Sequence, residues 1–402
     1  MKTVVVIEKC SSYERGEVLA AVRRCVDELG GIEKFVRPGQ RVLLKPNLLT
    51  GASPERAVVT HPEIVRAVAV LAKEAGAEVF LGDSPCISTL RNALSDSSYD
   101  PVIEELGLRV QPFEDVRSVA TGAQDWQKSI EIATAPLEAD AVINLPKLKT
   151  HAQMYMTLAV KNLFGCVAGK RKIEWHFKAE RHYEHFARVL VEVAKAVSPA
   201  LTIVDGVLAM EGNGPNAGTL RQLGVIVAGT DCVAVDAVIC EMLSLNPDML
   251  YTHRVAREIG WGVGELREIE LRGVPLEEVR VKDWQPARAV DVLMRIPGFL
   301  RRWLRRLFTS RPKINRNICE VCGVCGSVCP VKAITADKKL RINYDKCICC
   351  FCCQEICPYG AIGVKDGLFV RLLRKRTGLR DAFTNIPLAG HGKRSHGVDE
   401  KR

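Results

Sequence analysis

Short β-branched runs alternate with longer amphipathic stretches through residues 1–285. Thr3–Ile7, Arg41–Leu44, Glu78–Leu81, Ala141–Ile143, Leu201–Val204 and Leu223–Ala228 read as strands. Arg15–Leu29, Glu63–Ala75, Tyr183–Ala196 and Cys232–Leu243 repeat their apolar residues at helical spacing. Pro62 stands at the start of the second of these helices, where its missing N–H costs nothing, and Thr60 is its expected N-cap. Strand and helix alternating in this way predict an α/β domain with a mainly parallel sheet.

The pattern changes after that domain. Phe299, Leu300, Trp303, Leu304, Leu307 and Phe308 fall on one helical face, with Arg301, Arg302, Arg305 and Arg306 filling the other. Residues 286–312 therefore read as a linker carrying a short basic amphipathic helix. Residues 313–369 contain a 28-residue internal repeat: Cys319 maps to Cys347, Cys329-Pro330 to Cys357-Pro358, and Ala333-Ile334 to Ala361-Ile362. Residues 370–402 form a basic tail whose end is expected to be disordered.

Charge follows the same division. The net charge of +10 belongs to the linker and tail. Nine Lys/Arg face one acid in 288–316, nine face three in 371–402, and the remainder of the chain is net acidic. The apolar face of the helix can dock on the large domain or on the C-terminal module, or the helix and the basic tail can meet an anionic membrane surface or an acidic partner; a nucleic-acid partner for the linker and tail is not expected. The short N-terminal apolar run meets Glu8 and is too brief for a signal h-region. No run of 18 apolar residues occurs. These features lead to an expectation of a cytoplasmic protein.

Of 16 cysteines, ten crowd into Cys319–Cys357. They spell Cys319-x2-Cys322-x2-Cys325-x3-Cys329-Pro330 and Cys347-x2-Cys350-x2-Cys353-x3-Cys357-Pro358. This is the spacing of bacterial two-cluster ferredoxins, in which the fourth Cys of each motif serves the other cluster. Three thiolates on a tight loop cover three irons of one cube, and the fourth points away. The expected sets are Cys319, Cys322, Cys325 and Cys357 for one [4Fe–4S] cluster, and Cys347, Cys350, Cys353 and Cys329 for the second. Cys349 and Cys352 stand outside the pattern, because four residues rather than three separate Cys352 from Cys357. Zinc ribbons need neither the third closely spaced Cys nor the trailing Cys-Pro. The fold expected here is a small α+β ferredoxin-like domain that moves single electrons.

In the large domain, polar clusters fall just after the predicted strands, where open α/β sheets bind ligands. Lys45, Asn47, Asp83, Ser84, Lys147, Lys149, His151, Lys161 and Asn162 belong to these clusters. Glu211 and Asn213 open a glycine-rich loop able to approach a ligand closely. Lys45, Lys147, Lys149 and Lys161 are candidates to hold an anion, and His61 or His151 with Asp83 to handle protons. Lys45, Lys147 and Lys149 can also be read as solvated turn residues, and His176 in Trp-His-Phe as a core histidine as readily as a base. No Gly-x-Gly-x-x-Gly follows the first strand, and neither a Walker A sequence nor His-Glu-x-x-His occurs.

These motifs resemble the domain-of-unknown-function family numbered 362, often fused to a ferredoxin module. The resemblance runs from Val4 to Pro247. It rests on Leu44-Lys-Pro-Asn-Leu48, Thr60-His-Pro62, Gly82-Asp-Ser-Pro85, Asn144-Leu-Pro-Lys-Leu-Lys-Thr-His151, Val160-Lys-Asn-Leu-Phe-Gly165, Met210-Glu-Gly-Asn-Gly-Pro215 and Asp231-Cys-Val-Ala-Val-Asp236. The family usually shows Asp-Pro where this chain has Asp231-Cys232. The resemblance implies an iron–sulfur protein of anaerobic-type metabolism and supplies no reaction. Two expectations stand side by side. One is a redox enzyme whose ferredoxin module feeds an anionic substrate or cofactor. The other is a non-enzymatic electron carrier or cofactor-assembly factor acting on a protein partner.

Overall fold

The computed structural model describes residues 2–122, 128–169, 171–179, 182–287, 309–337, 339–368 and 371. The basic helix expected over 299–308, and the tail beyond residue 371, lie outside the described residues.

Strands β1 (Thr3–Lys9), β2 (Arg41–Pro46), β3 (Glu78–Leu81) and β4 (Arg109–Val110) belong to the main sheet. So do β7 (Ala141–Leu145), β8 (Lys147–His151), β9 (Tyr155–Thr157), β10 (Leu201–Glu211), β11 (Thr219–Gly229) and β12 (Ile269–Gly273). A separate antiparallel hairpin pairs β5 (Val116–Ala120) with β6 (Ser129–Ala133). The main sheet runs β12-β1-β11-β10-β7-β2-β3-β4, with β8 beside β10 and β9 beside β8. Most pairs are parallel; β11 runs antiparallel to both its neighbours, and β9 to β8.

Both faces of the sheet are covered, which is why its central strands read as continuous apolar runs. Leu43 points into one core, with Val142, Val204 and the helices Tyr183–Val197 and Cys232–Met242. Its neighbours Val42 and Leu44 point into the other, with Ile143, Ile203 and the helices Arg15–Glu28 and Pro62–Glu74. Alternate residues of one strand thus feed opposite cores.

Two local expectations change. The N-cap of Pro62–Glu74 is His61, whose Nδ1 accepts from Glu63 N at 3.2 Å. Thr60 is taken instead by the sheet: its hydroxyl donates to Leu145 O at 2.6 Å and accepts from Asn47 N at 2.9 Å. The chain after Pro146 also continues as a strand. β10 pairs with β7 at Leu201 and Thr202 and then with β8 at Asp205 and Met210, with a register shift between those two residues.

The C-terminal part pairs β13 (Arg311–Ile314) with β16 (Ile362–Lys365), and β14 (Ile334–Ala336) with β15 (Leu340–Ile342), all antiparallel. Its internal repeat is present in the backbone. Val321 and Cys349, Gly323 and Phe351, and Lys332 and Gly360 are each 28 residues apart, and all six have positive φ. Asn315 N donates to Ala361 O, and Asn343 N to Ala333 O, both at 2.7 Å, so each half bonds the other in the same way.

Candidate functional site

The cysteines of the two motifs line two hollows. Cys319, Cys322 and Cys325 share one with Cys357, a space of about 300 Å³. Cys347, Cys350 and Cys353 share the other with Cys329, about 320 Å³. Backbone N–H groups turn toward the sulfurs at matching points: Ala333 N to Cys329 Sγ and Ala361 N to Cys357 Sγ, each 3.2 Å. Among the described residues, no three His, Cys, Asp or Glu side chains converge as ligands of a single ion would. Cys349 and Cys352 occupy the repeat positions of Val321 and Val324, which explains why they stand outside the motif. Cys352 nevertheless lines the second hollow.

A larger pocket, about 760 Å³ including its open mouth, lies where this module meets the sheet. The ends of β2 and β3 supply Lys45, Asn47, Asp83 and Ser84 to it, and β8 supplies Lys149. Lys161, Asn162 and Gly165 come from the turn after β9, and Lys172 and His176 from the helix Arg171–Lys178. The module contributes Val328, Cys352, Glu355 and Ile356 as the opposite wall.

Lys45 Nζ lies 2.9 Å from Asp83 Oδ1, and both side chains are almost wholly buried. Asp83 also accepts from Leu48 N and Ser84 N. A methyl group at Gly165 would overlap Asp83 Oδ1 and Lys45 Nζ, so the Lys-Asn-Leu-Phe-Gly sequence ends in glycine for lack of room. Lys161 stands 4.0 Å from Glu355, and His151 Nε2 3.6 Å from the same carboxylate. His151 Nδ1 accepts from Gln153 N and Met154 N, which leaves the ring proton on Nε2, facing Glu355. Burial alone would raise Glu355, but Lys161 and His151 outweigh it and hold the carboxyl below its ordinary value. Burial lowers His151 to about 4 and His176 to about 3, so both rings are neutral. Lys149 donates to Val58 O and Lys172 to Ser84 O. Burial brings Lys149 down to about 7 and Lys172 to about 8.

The pocket therefore gathers Lys45, Asn47, Asp83, Ser84, Lys149, Lys161 and Asn162 from the sequence candidates. Other candidates are placed elsewhere. Lys147 pairs with Asp205 at 2.8 Å and donates to Tyr13 OH, whose hydroxyl in turn donates to Asp205. His61 stacks on Tyr13 with ring centroids 3.6 Å apart, and its backbone N–H donates to Asp205. Glu211 accepts from Gln285 N. Asn213 takes the side-chain amide of Gln354, and Asn216 donates to Cys357 O at 2.6 Å. The glycine-rich loop thus docks the cysteine module. His151 joins the pocket region only through Glu355.

Several functional positions escape sequence reasoning. Lys172 sits in a helix where a lysine is unremarkable. Glu355 lies inside the second cysteine motif, which draws attention to the sulfurs alone. Asp236 carried a signal, as the last residue of its motif: its carboxylate accepts from Ala159 N and Val160 N and so fixes the turn that presents Lys161. Burial raises it to about 8 despite those bonds.

Residues 42–241 match the domain of unknown function DUF362. A thylakoid-associated protein of Synechocystis sp. is 42% identical over 300 residues, 75% of this chain and 92% of that protein. Among solved structures, the lactate racemase apoprotein from Thermoanaerobacterium thermosaccharolyticum is similar at 12% identity with a TM-score of 0.38. That match covers 56% of this chain and 54% of the racemase. A loganic acid methyltransferase with SAH matches at 11% identity with a TM-score of 0.20, over 60% and 64% of the two chains. Likenesses this slight say nothing of activity. The family motifs, the matched segment and the relative aligned over nearly its whole length agree: the chain belongs to the DUF362 family and carries in addition a cysteine-rich C-terminal module compatible with an iron–sulfur protein.

Proposed function

We propose that this protein is an iron–sulfur redox enzyme that delivers electrons to an anionic substrate bound between its two parts. The observation that carries the proposal is Cys352, which lines both the second cysteine hollow and the lysine pocket. Electrons held at that hollow have one side chain to pass before they reach a ligand. Cys319, Cys322, Cys325 and Cys357 would hold one [4Fe–4S] cluster, and Cys347, Cys350, Cys353 and Cys329 the other. Such clusters supply one-electron transfer. The chain's own residues bind and orient the ligand. Lys149, Lys161 and Lys172 attract it, the Lys45–Asp83 pair shapes the floor, and the module excludes water from the far side. A pocket with converging polar groups supports an enzyme over a carrier that docks through a flat apolar surface.

Protein purified without oxygen is expected to contain about eight irons and eight acid-labile sulfides per chain. After reduction, its electron paramagnetic resonance signal should decay on addition of the ligand that co-purifies with it. Lys161→Ala should slow that decay and leave iron content unchanged. Reduced protein that no co-purifying anion reoxidises would point instead to the carrier or assembly role. Cys329→Ala should disturb the signal of the cluster held by the second motif; loss confined to the other cluster would overturn the ligand sets.

A second reading concerns location. The relative is thylakoid-associated, and the arginine-rich periodicity of residues 299–308 suits anionic headgroups. Among the described residues no helix is long and apolar enough to cross a membrane, so the contact would be peripheral. Trp303 fluorescence should shift to the blue with anionic vesicles and stay unchanged with neutral ones. An unchanged spectrum in both would remove this reading.

A further inference from the structure

The pocket contains more positive charge than its own carboxylates neutralise. Lys45 has Asp83 at 2.9 Å, and Lys161 has Glu355 at 4.0 Å. Lys149 and Lys172 have only carbonyl oxygens, those of Val58 and Ser84, and among the described residues neither is in an ion pair. Lys149 is 1% exposed and Lys172 partly buried. A carbonyl offers a dipole, not a counter-charge, and an ammonium withdrawn from water without one is costly. Two such groups, on different elements, line one space.

We infer that the pocket takes a small molecule bearing two negative charges, met by Lys149 and Lys172. This inference rests on reading the pocket as the substrate site and narrows the substrate to a class. The charge comes either from two carboxylates or from one phosphate group. The Lys45–Asp83 and Lys161–Glu355 pairs then serve as walls, since their charges are already met.

The protonation of the two lysines supports this count. Burial leaves Lys149 near 7 and Lys172 near 8. Glu355 and Asp83 press upward on Lys149, while Lys161 and Lys147 press downward. Asp83, Cys86 and Cys166 press upward on Lys172 and Lys45 downward. A bound dianion would raise both, so binding draws protons in, and affinity falls as pH rises through the free values.

Titration calorimetry on the full chain, prepared without oxygen, tests this with succinate, inorganic phosphate and acetate as probes. Two buffers of different protonation heat report the proton count. A dianion is expected to bind at least about tenfold more tightly than acetate, with proton uptake, because each charge-assisted contact is worth about that factor. Lys149→Met and Lys172→Met should each remove about tenfold of dianion affinity and little of acetate's. Lys172→Met is the safer variant for folding, since that side chain is only partly buried; an unchanged thermal midpoint and visible spectrum confirm it. Tight succinate with weak phosphate identifies a dicarboxylate site, and the reverse a phosphate site. Acetate equal to both dianions, no binding of any probe at millimolar concentration, or dianion binding indifferent to Lys172→Met would each overturn the inference. Calorimetry needs no electron flow, so this idea and the redox reading can fail separately.

Discussion

Lys147 and Lys149 stand two residues apart on β8, and their partners separate their roles. Lys147 is neutralised by Asp205 inside a network with Tyr13 and the His61 backbone. Removing one member of a buried pair leaves the other uncompensated, at about 3–5 kcal/mol. Lys147→Met should therefore lower stability in a denaturant titration by about 3 kcal/mol, toward the low end of that range because Tyr13 and His61 still bond Asp205. The sequence shows two similar lysines after a strand; only the partner on β10, 58 residues away, distinguishes them. His61 is a second such case. Burial lowers it to about 4 in the folded chain against its ordinary 6.5. The unfolded chain then binds the extra proton between those values, so stability is full above about pH 6.5 and declines as pH falls toward 4. His61→Asn keeps a capping side chain and removes the titration. Its stability should vary less than wild type over that window, and an equally steep profile would shift the acid sensitivity to His151 and His176.

At the scale of elements, strands and helices whose apolar pattern is continuous were legible, and their ends were misread only where polar residues continue the element. Glu78–Leu81 is a strand with the bounds its pattern predicts, and Tyr183–Val197 extends its prediction by one residue. The misreadings have one physical cause. Asp205-Gly206, just past the predicted strand Leu201–Val204, and Asn144-to-His151, at the end of Ala141–Ile143, are polar, and polar residues after a strand suggest a loop. Here they lie inside strands: Lys147 and Asp205 neutralise each other beside Tyr13, while Lys149 donates to Val58 O and His151 faces Glu355 of the module. The glycine-rich loop after β10 misled in the same way: its glycines permit close approach, but what approaches them is the large domain's own backbone, and its asparagines hold the cysteine module. A methyl group at Gly214 would overlap the Thr150 backbone, and one at Gly218 the Glu211 carbonyl. Gln354 reaches this loop through Asn213, and Asn216 reaches Cys357. A double-mutant cycle of Asn213→Ala and Gln354→Ala should give a coupling of about 1 kcal/mol, the worth of a typical hydrogen bond. Hydrogen exchange in Cys352–Ile356 should quicken in either single variant. Additive effects with unchanged exchange would mean that the loop does not hold the module.

For the whole molecule, the consequence is that one five-residue helix, Cys352–Ile356, forms a wall of the lysine-lined pocket and borders the second cysteine hollow. A helix that short has no stability of its own in water. Its N-cap, Phe351, sits in the left-handed region at φ 60°, a conformation that a bulky residue keeps only when its surroundings impose it. What surrounds it is Cys350, Cys353 and Cys357 on one side and the Asn213–Asn216 loop on the other. Wrapping metal would fix the first side, and the docking contacts the second. Stripping iron from the protein with a chelator, without oxygen, should therefore loosen Cys352–Ile356 and withdraw Glu355 from Lys161 and His151. The large domain has its own two cores, one on each face of the sheet, and should keep its far-ultraviolet circular dichroism. Succinate or phosphate affinity should nevertheless fall by about tenfold or more, because the pocket loses a wall and Lys149 gains water. Readdition of iron and sulfide should restore it. An iron-free protein that binds the dianion as tightly as the loaded one would show that the large domain forms the site alone, and the coupling between cluster and pocket would have to be abandoned.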